Sequence, residues 1–94
     1  MPTGPIAKLG GGGTLVGGRA PIIGPGAPTV IAEGLPVSCL GDNVTSHGEP
    51  PHTKAVIIAG SVTVFAMGRP VVRNGDPASC GDLVVSASTI IVGG

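Results

Sequence analysis

A short phrase recurs three times in this chain, and repetition at this spacing limits the fold more than any local propensity does. Pro5-Ile-Ala-Lys-Leu-Gly-Gly11, Pro36-Val-Ser-Cys-Leu-Gly-Asp42 and Pro70-Val-Val-Arg-Asn-Gly-Asp76 each set a proline, a β-branched residue, two variable positions, a spacer and a glycine in one register. A second phrase follows at varying distance. Ile22-Ile23 leads to Pro28-Thr-Val-Ile-Ala-Glu-Gly34, Val56-Ile-Ile58 to Val62-Thr-Val-Phe-Ala-Met-Gly68, and Val84-Val85 to Ser88-Thr-Ile-Ile-Val-Gly93. The 94 residues therefore read as a single domain of three like units, about 5–35, 36–69 and 70–94.

Each unit reads as short β elements. Val, Ile and Thr fill the runs, and glycine or proline interrupts nearly every stretch that a helix would need. Gly60-Ser61 and Gly24-Pro-Gly26 lie between runs and suit tight hairpin turns. The Gly-Asp pairs at Gly41-Asp42 and Gly75-Asp76 are expected to end a strand and open a turn, with the Asp side chain bonding backbone N–H groups ahead of it. One unit has too little apolar area to fold alone. Three hairpins about a pseudo-three-fold axis are expected to share a core of Val30, Ile31, Val62, Val64, Ile90 and Val92. The same repetition is also compatible with a linear stack of strands.

A chain this short buries only about 60–65% of the surface its unfolded form exposes. Phe65 is its one aromatic residue, so much of the core must come from smaller side chains, and a staple would help. Five basic and five acidic residues leave no net charge, which argues against nucleic acid or an anionic membrane surface as partner. No apolar run approaches the ~20 residues of a membrane-spanning helix. The N-terminus lacks the charged and apolar regions of a signal peptide, so the chain is expected to be made in the cytoplasm and to leave only by a route that reads no cleavable signal.

The staple has candidates. Cys39, His47, His52 and Cys80 are all the cysteines and histidines present, and two thiolates with two imidazoles satisfy a closed tetrahedral structural zinc site. Cys39 takes the slot of Lys8 and Arg73 in the other units, while His47 and Cys80 follow their Gly-Asp pairs by five and four residues. A Cys39–Cys80 disulfide, or two ordinary thiols with two loop histidines, are the competing readings. A catalytic zinc would want an open position and a general base, and Glu49 is the only carboxylate between the histidines. No catalytic residue is assigned, and no enzyme activity is expected.

Pro70-Val-Val-Arg73 with Gly75-Asp76 resembles the Pro-Ala-Ala-Arg signature of the PAAR-repeat family. Pro36-Val-Ser-Cys39 and Pro5-Ile-Ala-Lys8 look like degenerate copies of it. The Thr-Ser-His47-Gly segment, the Gly60-Ser-Val-Thr-Val64 run and the Gly75-Asp-Pro-Ala-Ser-Cys-Gly81 segment extend the resemblance over Pro5 to Gly94. It implies an all-β, zinc-stapled cone of hairpins that caps the trimeric β-helical spike of a type VI secretion system or contractile phage tail. One cap would sit on each trimer of a valine–glycine-repeat or phage spike protein, helping to pierce the target envelope. The contact with the target membrane would be transient, and effector proteins could ride along. The tip would be delivered outside the cell, into the target cell or on a virion. Carried over, the zinc ligands are His47, His52 and Cys80, with Cys39 as the fourth. Members usually use three histidines and one cysteine, whereas this chain has two of each. With the sequence ending at Gly94, a bare tip without a toxic domain is expected. The alternative reading is a small zinc-binding regulatory or enzymatic domain.

Overall fold

Backbone hydrogen bonds close three segments of the chain into rings. In the computed structural model, which describes residues 4–10, 14–17, 20–48, 53–86, 88 and 90–92, Ala7 N–H donates to the Val72 carbonyl, Val72 to Ser38, and Ser38 to Ala7, at 2.8, 3.0 and 2.9 Å. A second ring runs the other way: Leu9, Leu40 and Asn74 donate to Pro36, Pro70 and Pro5, each at 2.9 Å. In each unit the phrase glycine then bonds into its own second phrase, Gly10 to Ile22, Gly41 to Ile57 and Gly75 to Val84. These equivalences establish the pseudo-three-fold arrangement. Each segment is paired on both sides by its neighbours, so the central strands present no bare edge.

The elements among the described residues are ten short strands: β1 (Gly4–Pro5), β2 (Thr14–Val16), β3 (Ile22–Gly24), β4 (Ala27–Ala32), β5 (Leu35–Val37), β6 (Asn43–Val44), β7 (Phe65–Ala66), β8 (Arg69–Pro70), β9 (Val84–Ser86) and β10 (Ile91–Val92). No helix occurs among the described residues. Pairs β4–β5, β7–β8 and β1–β10 are the three equivalent hairpins, with Ala32 opposite Leu35, Ala66 opposite Arg69 and Val92 opposite Gly4. The third differs in one respect, since its strands come from opposite ends of the sequence. Tight turns fall at Glu33-Gly34 and Met67-Gly68, where both central residues have positive φ, the type I′ geometry that matches strand twist. They do not fall at Gly60-Ser61 or Gly24-Pro25-Gly26, the segments favoured by composition. Those segments lead into the second phrases instead.

The phrase glycines Gly10, Gly41 and Gly75 have φ of 78°, 91° and 91°; a Cβ at Gly10 or Gly75 would meet nothing within 4 Å, and one at Gly41 only Arg69 Nη1 at 3.9 Å, an ordinary contact. Backbone conformation, not space, selects glycine there. The aspartates after two of them reach three residues back in the chain. Asp42 accepts from the Cys39 N–H at 2.8 Å and Asp76 from the Arg73 N–H at 2.7 Å. In the first unit, which has Gly11 at this place, Thr14 Oγ1 accepts the matching Lys8 N–H.

Side chains divide into two apolar clusters. One contains the hairpin residues Ala32, Ala66 and Val92 with Val37, Val71 and Cys39; the other contains Ile22, Ile57 and Val84 with Ala78 and, at its margin, Cys80. The shared core of Val30, Ile31, Val62, Val64, Ile90 and Val92 does not form, because only Val92 of these is buried. Val30, Val64 and Ile90 are 37, 37 and 40% exposed, and Ile31, Phe65 and Ile91 are 55, 56 and 61% exposed. The inward positions of the hairpins go to Ala32, Ala66 and Val92, small enough for strands converging on one axis.

Candidate metal centre

The loops leaving Gly41 and Gly75 bring His47, Cys80 and Asp82 together, with one ligand atom from each lying within 4.8 Å of the others. His47 follows β6. Thr45 anchors this approach by donating its N–H at 3.0 Å and its hydroxyl at 2.9 Å to the Pro21 carbonyl. Cys80 sits in a tight turn closed by Gly81 N–H to the Ala78 carbonyl at 3.0 Å, and Ala78 N–H in turn donates to the Asp82 carbonyl at 2.8 Å. The turn is tied to the second unit by Ser79 N–H to the Val56 carbonyl.

The imidazole is almost wholly buried, and both of its nitrogens are engaged. Nδ1 lies 2.8 Å from the Thr45 carbonyl, and Nε2 lies 3.0 Å from Asp82 Oδ2 and 3.7 Å from Cys80 Sγ. Metal-binding imidazoles commonly have one nitrogen fixed by a backbone carbonyl and the other aimed at the ion. The structure thus gathers two of the four residues expected from sequence, His47 and Cys80. A third, Cys39, lies elsewhere. It is fully buried in the hairpin cluster, with its thiol donating to the Ala66 carbonyl at 3.8 Å, and it is not part of this group. Burial pushes the Cys39 thiol up, Arg69 pulls it down and Asp42 pushes it up again, so burial sets the direction and the thiol stays protonated. Both cysteines are free, and the disulfide alternative is not realised. His52 and Glu49 lie outside the described residues.

Asp82 escaped an inventory restricted to cysteine and histidine. The signal available for it was a third Gly-Asp pair, Gly81-Asp82, directly after Cys80. One thiol, one imidazole and one carboxylate are a donor set that suits zinc.

The slot that Cys39 shares with Lys8 and Arg73 is a structural one. Arg73 is buried and pairs with Asp76 through Nη2 to Oδ1 at 2.9 Å and Nε to Oδ2 at 3.2 Å, while Nη2 also reaches the Gly60 carbonyl. Lys8 is buried against Glu33 at 3.0 Å. Cys39 brings no cation, and Arg69 of β8 supplies one from another strand, donating to Asp42 Oδ1 at 3.1 Å and to the Gly26 carbonyl at 2.8 Å. The guanidinium returns to the corresponding place by another route.

The family model described as PAAR motif matches residues 10–86. The chain belongs to the PAAR-motif family. The match begins within the first Pro5 phrase and ends before β10, yet the hydrogen-bond rings and the β1–β10 pairing place the start of that phrase and β10 in the same repeating arrangement. PAAR motifs are associated with the spike tips of contractile injection machines, a structural role, and with metal binding, which the His47–Cys80–Asp82 group fits. No curated protein matches the chain.

Proposed function

We propose that this PAAR protein is a zinc-stapled tip that caps the trimeric spike of a type VI secretion system or a related contractile tail and helps it pierce the target envelope. The observation that carries the reading is the matched exposure of apolar residues on three equivalent hairpins, Val30, Val64 and Ile90 in one set and Ile31, Phe65 and Ile91 in the other. A single chain that offers the same apolar contact three times suits a partner that is itself a trimer, because each of its three chains meets the same chemistry. Ile31, Phe65 and Ile91 carry no charge, so the contact should persist at high salt.

In this reading the tip is made in the cytoplasm and travels at the end of the spike. Native mass spectrometry of the chain mixed with its spike protein should give one chain per three spike chains. Equal numbers of the two, or no complex, would defeat the proposal. Phe65→Asp, on an exposed position, should abolish the complex while shifting stability by less than about 0.5 kcal/mol.

A further inference from the structure

The hydrogen-bond partner of His47 fixes its tautomer. A carbonyl oxygen only accepts, so the 2.8 Å contact with Thr45 places the ring proton on Nδ1. In the neutral ring Nε2 then carries a lone pair. That lone pair faces a carboxylate oxygen of Asp82 at 3.0 Å and the Cys80 sulfur at 3.7 Å. An ionised carboxylate is also acceptor-only. An imidazole nitrogen, a carboxylate oxygen and a sulfur, all donors that zinc accepts, thus lie within 4.8 Å of one another. Asp82 lies against the backbone at Gly17, which has φ +63°, and a Cβ there would be 2.8 Å from Asp82 Oδ2.

We propose that Asp82 coordinates the metal directly, giving this chain a thiolate–imidazole–carboxylate centre instead of one built from cysteine and histidine alone. The inference rests on the zinc reading given above. Charge favours it. A divalent zinc with the Cys80 thiolate, the neutral His47 ring and the Asp82 carboxylate is neutral overall, whereas a second imidazole in place of the carboxylate would leave a positive centre. His47 and Asp82 are 4 and 25% exposed in their side chains, and an excess charge at that depth is costly to desolvate. Zinc accepts carboxylate oxygen at about 2.0–2.2 Å, so oxygen ligation requires no unusual chemistry. Cys80 would bind as its thiolate and give up its proton to do so, while His47 would bind through Nε2 and keep Nδ1–H on the Thr45 carbonyl.

Cobalt(II) substitution tests the assignment, because thiolate ligands give it an intense charge-transfer band. In a Cys39→Ala background, Asp82→Cys should raise that band about twofold, since a second soft donor enters the inner sphere. A band unchanged from the Asp82 protein would overturn direct coordination while leaving the zinc reading intact. Failure of the unmodified chain to bind zinc or cobalt would overturn both. Should Asp82→Cys fail to fold, the unmodified chain decides: the infrared difference between zinc-loaded and metal-free protein should show one carboxylate changing its stretching bands, and a spectrum without that change rejects the proposal.

Discussion

The two cysteines mark two regions of the core that are held together on different terms. Around Cys39 the structure is closed by groups the chain supplies itself: Asp42 accepts from Cys39 N–H, Ser38 Oγ, Gly26 N–H and Arg69, and the thiol is one more buried apolar group. Around Cys80 the loops end in a cluster of lone-pair donors at the edge of the second apolar cluster. The hairpin region is closed by its own groups, and the loop region gathers a donor set that could hold a metal ion. A cysteine's chemistry here follows from its neighbours, not from its identity.

The most damaging single change should fall in the self-sufficient region. Asp42→Ala leaves the N–H and hydroxyl donors around Cys39 without their acceptor and Arg69 without its carboxylate, so it should cost about 3–5 kcal/mol. Urea denaturation should report the same loss with and without chelator. Next in size is Cys80→Ser. With free zinc at about a hundred times the dissociation constant, it should remove about 2.7 kcal/mol of metal-linked stability, and chelation should erase its difference from the unmodified chain. If it destabilises the metal-free protein equally, the two regions are not distinct.

Cys39→Ser places a hydroxyl in the hairpin cluster and should cost about 1–3 kcal/mol. Elemental analysis should nevertheless find zinc per chain unchanged, and loss of the metal would make Cys39 a ligand after all. The smallest effect is one of pH. The Cys39 thiol is raised in the folded state, so below the ordinary thiol range both states keep the proton and the contribution is intact. Above that range the unfolded chain loses its proton first, and stability should fall by up to about 1.4 kcal/mol per pH unit until the folded thiol also ionises. Measured in a metal-free Cys80→Ser protein, this slope should flatten on adding Cys39→Ala.

Three-fold pairing was legible in the Pro and Gly registers of the first phrases, because those residues report backbone conformation directly: the glycines do sit at positive φ, and the prolines do accept in the second ring. Facing was not legible in the second phrases. In Val30-Ile31-Ala32 and Val64-Phe65-Ala66 every residue is apolar, so alternation cannot say which goes inward, and the crowded axis selects the smallest. The hairpin turns were hidden for a similar reason, since Glu33 and Met67 are unusual residues for positive φ. At the site, His47 and Cys80 could be read from their distance to a Gly-Asp pair. The place of Cys39 was also encoded, in its alignment with Lys8 and Arg73, both buried next to their ion-pair partners.

The hairpin divided between the two ends of the sequence has a consequence for how the molecule is born. Gly4 pairs with Val92, Pro5 accepts from Asn74, and the Ala7 ring needs Val72, so the segment synthesised first has none of these partners until nearly all the rest has been made. Such long-range closure slows folding and leaves early strands waiting with apolar groups uncovered. A nascent chain of this protein should therefore stay open until β10 has emerged from the ribosome, which makes the arrival of Ile91–Val92 a timer for closure of the whole body.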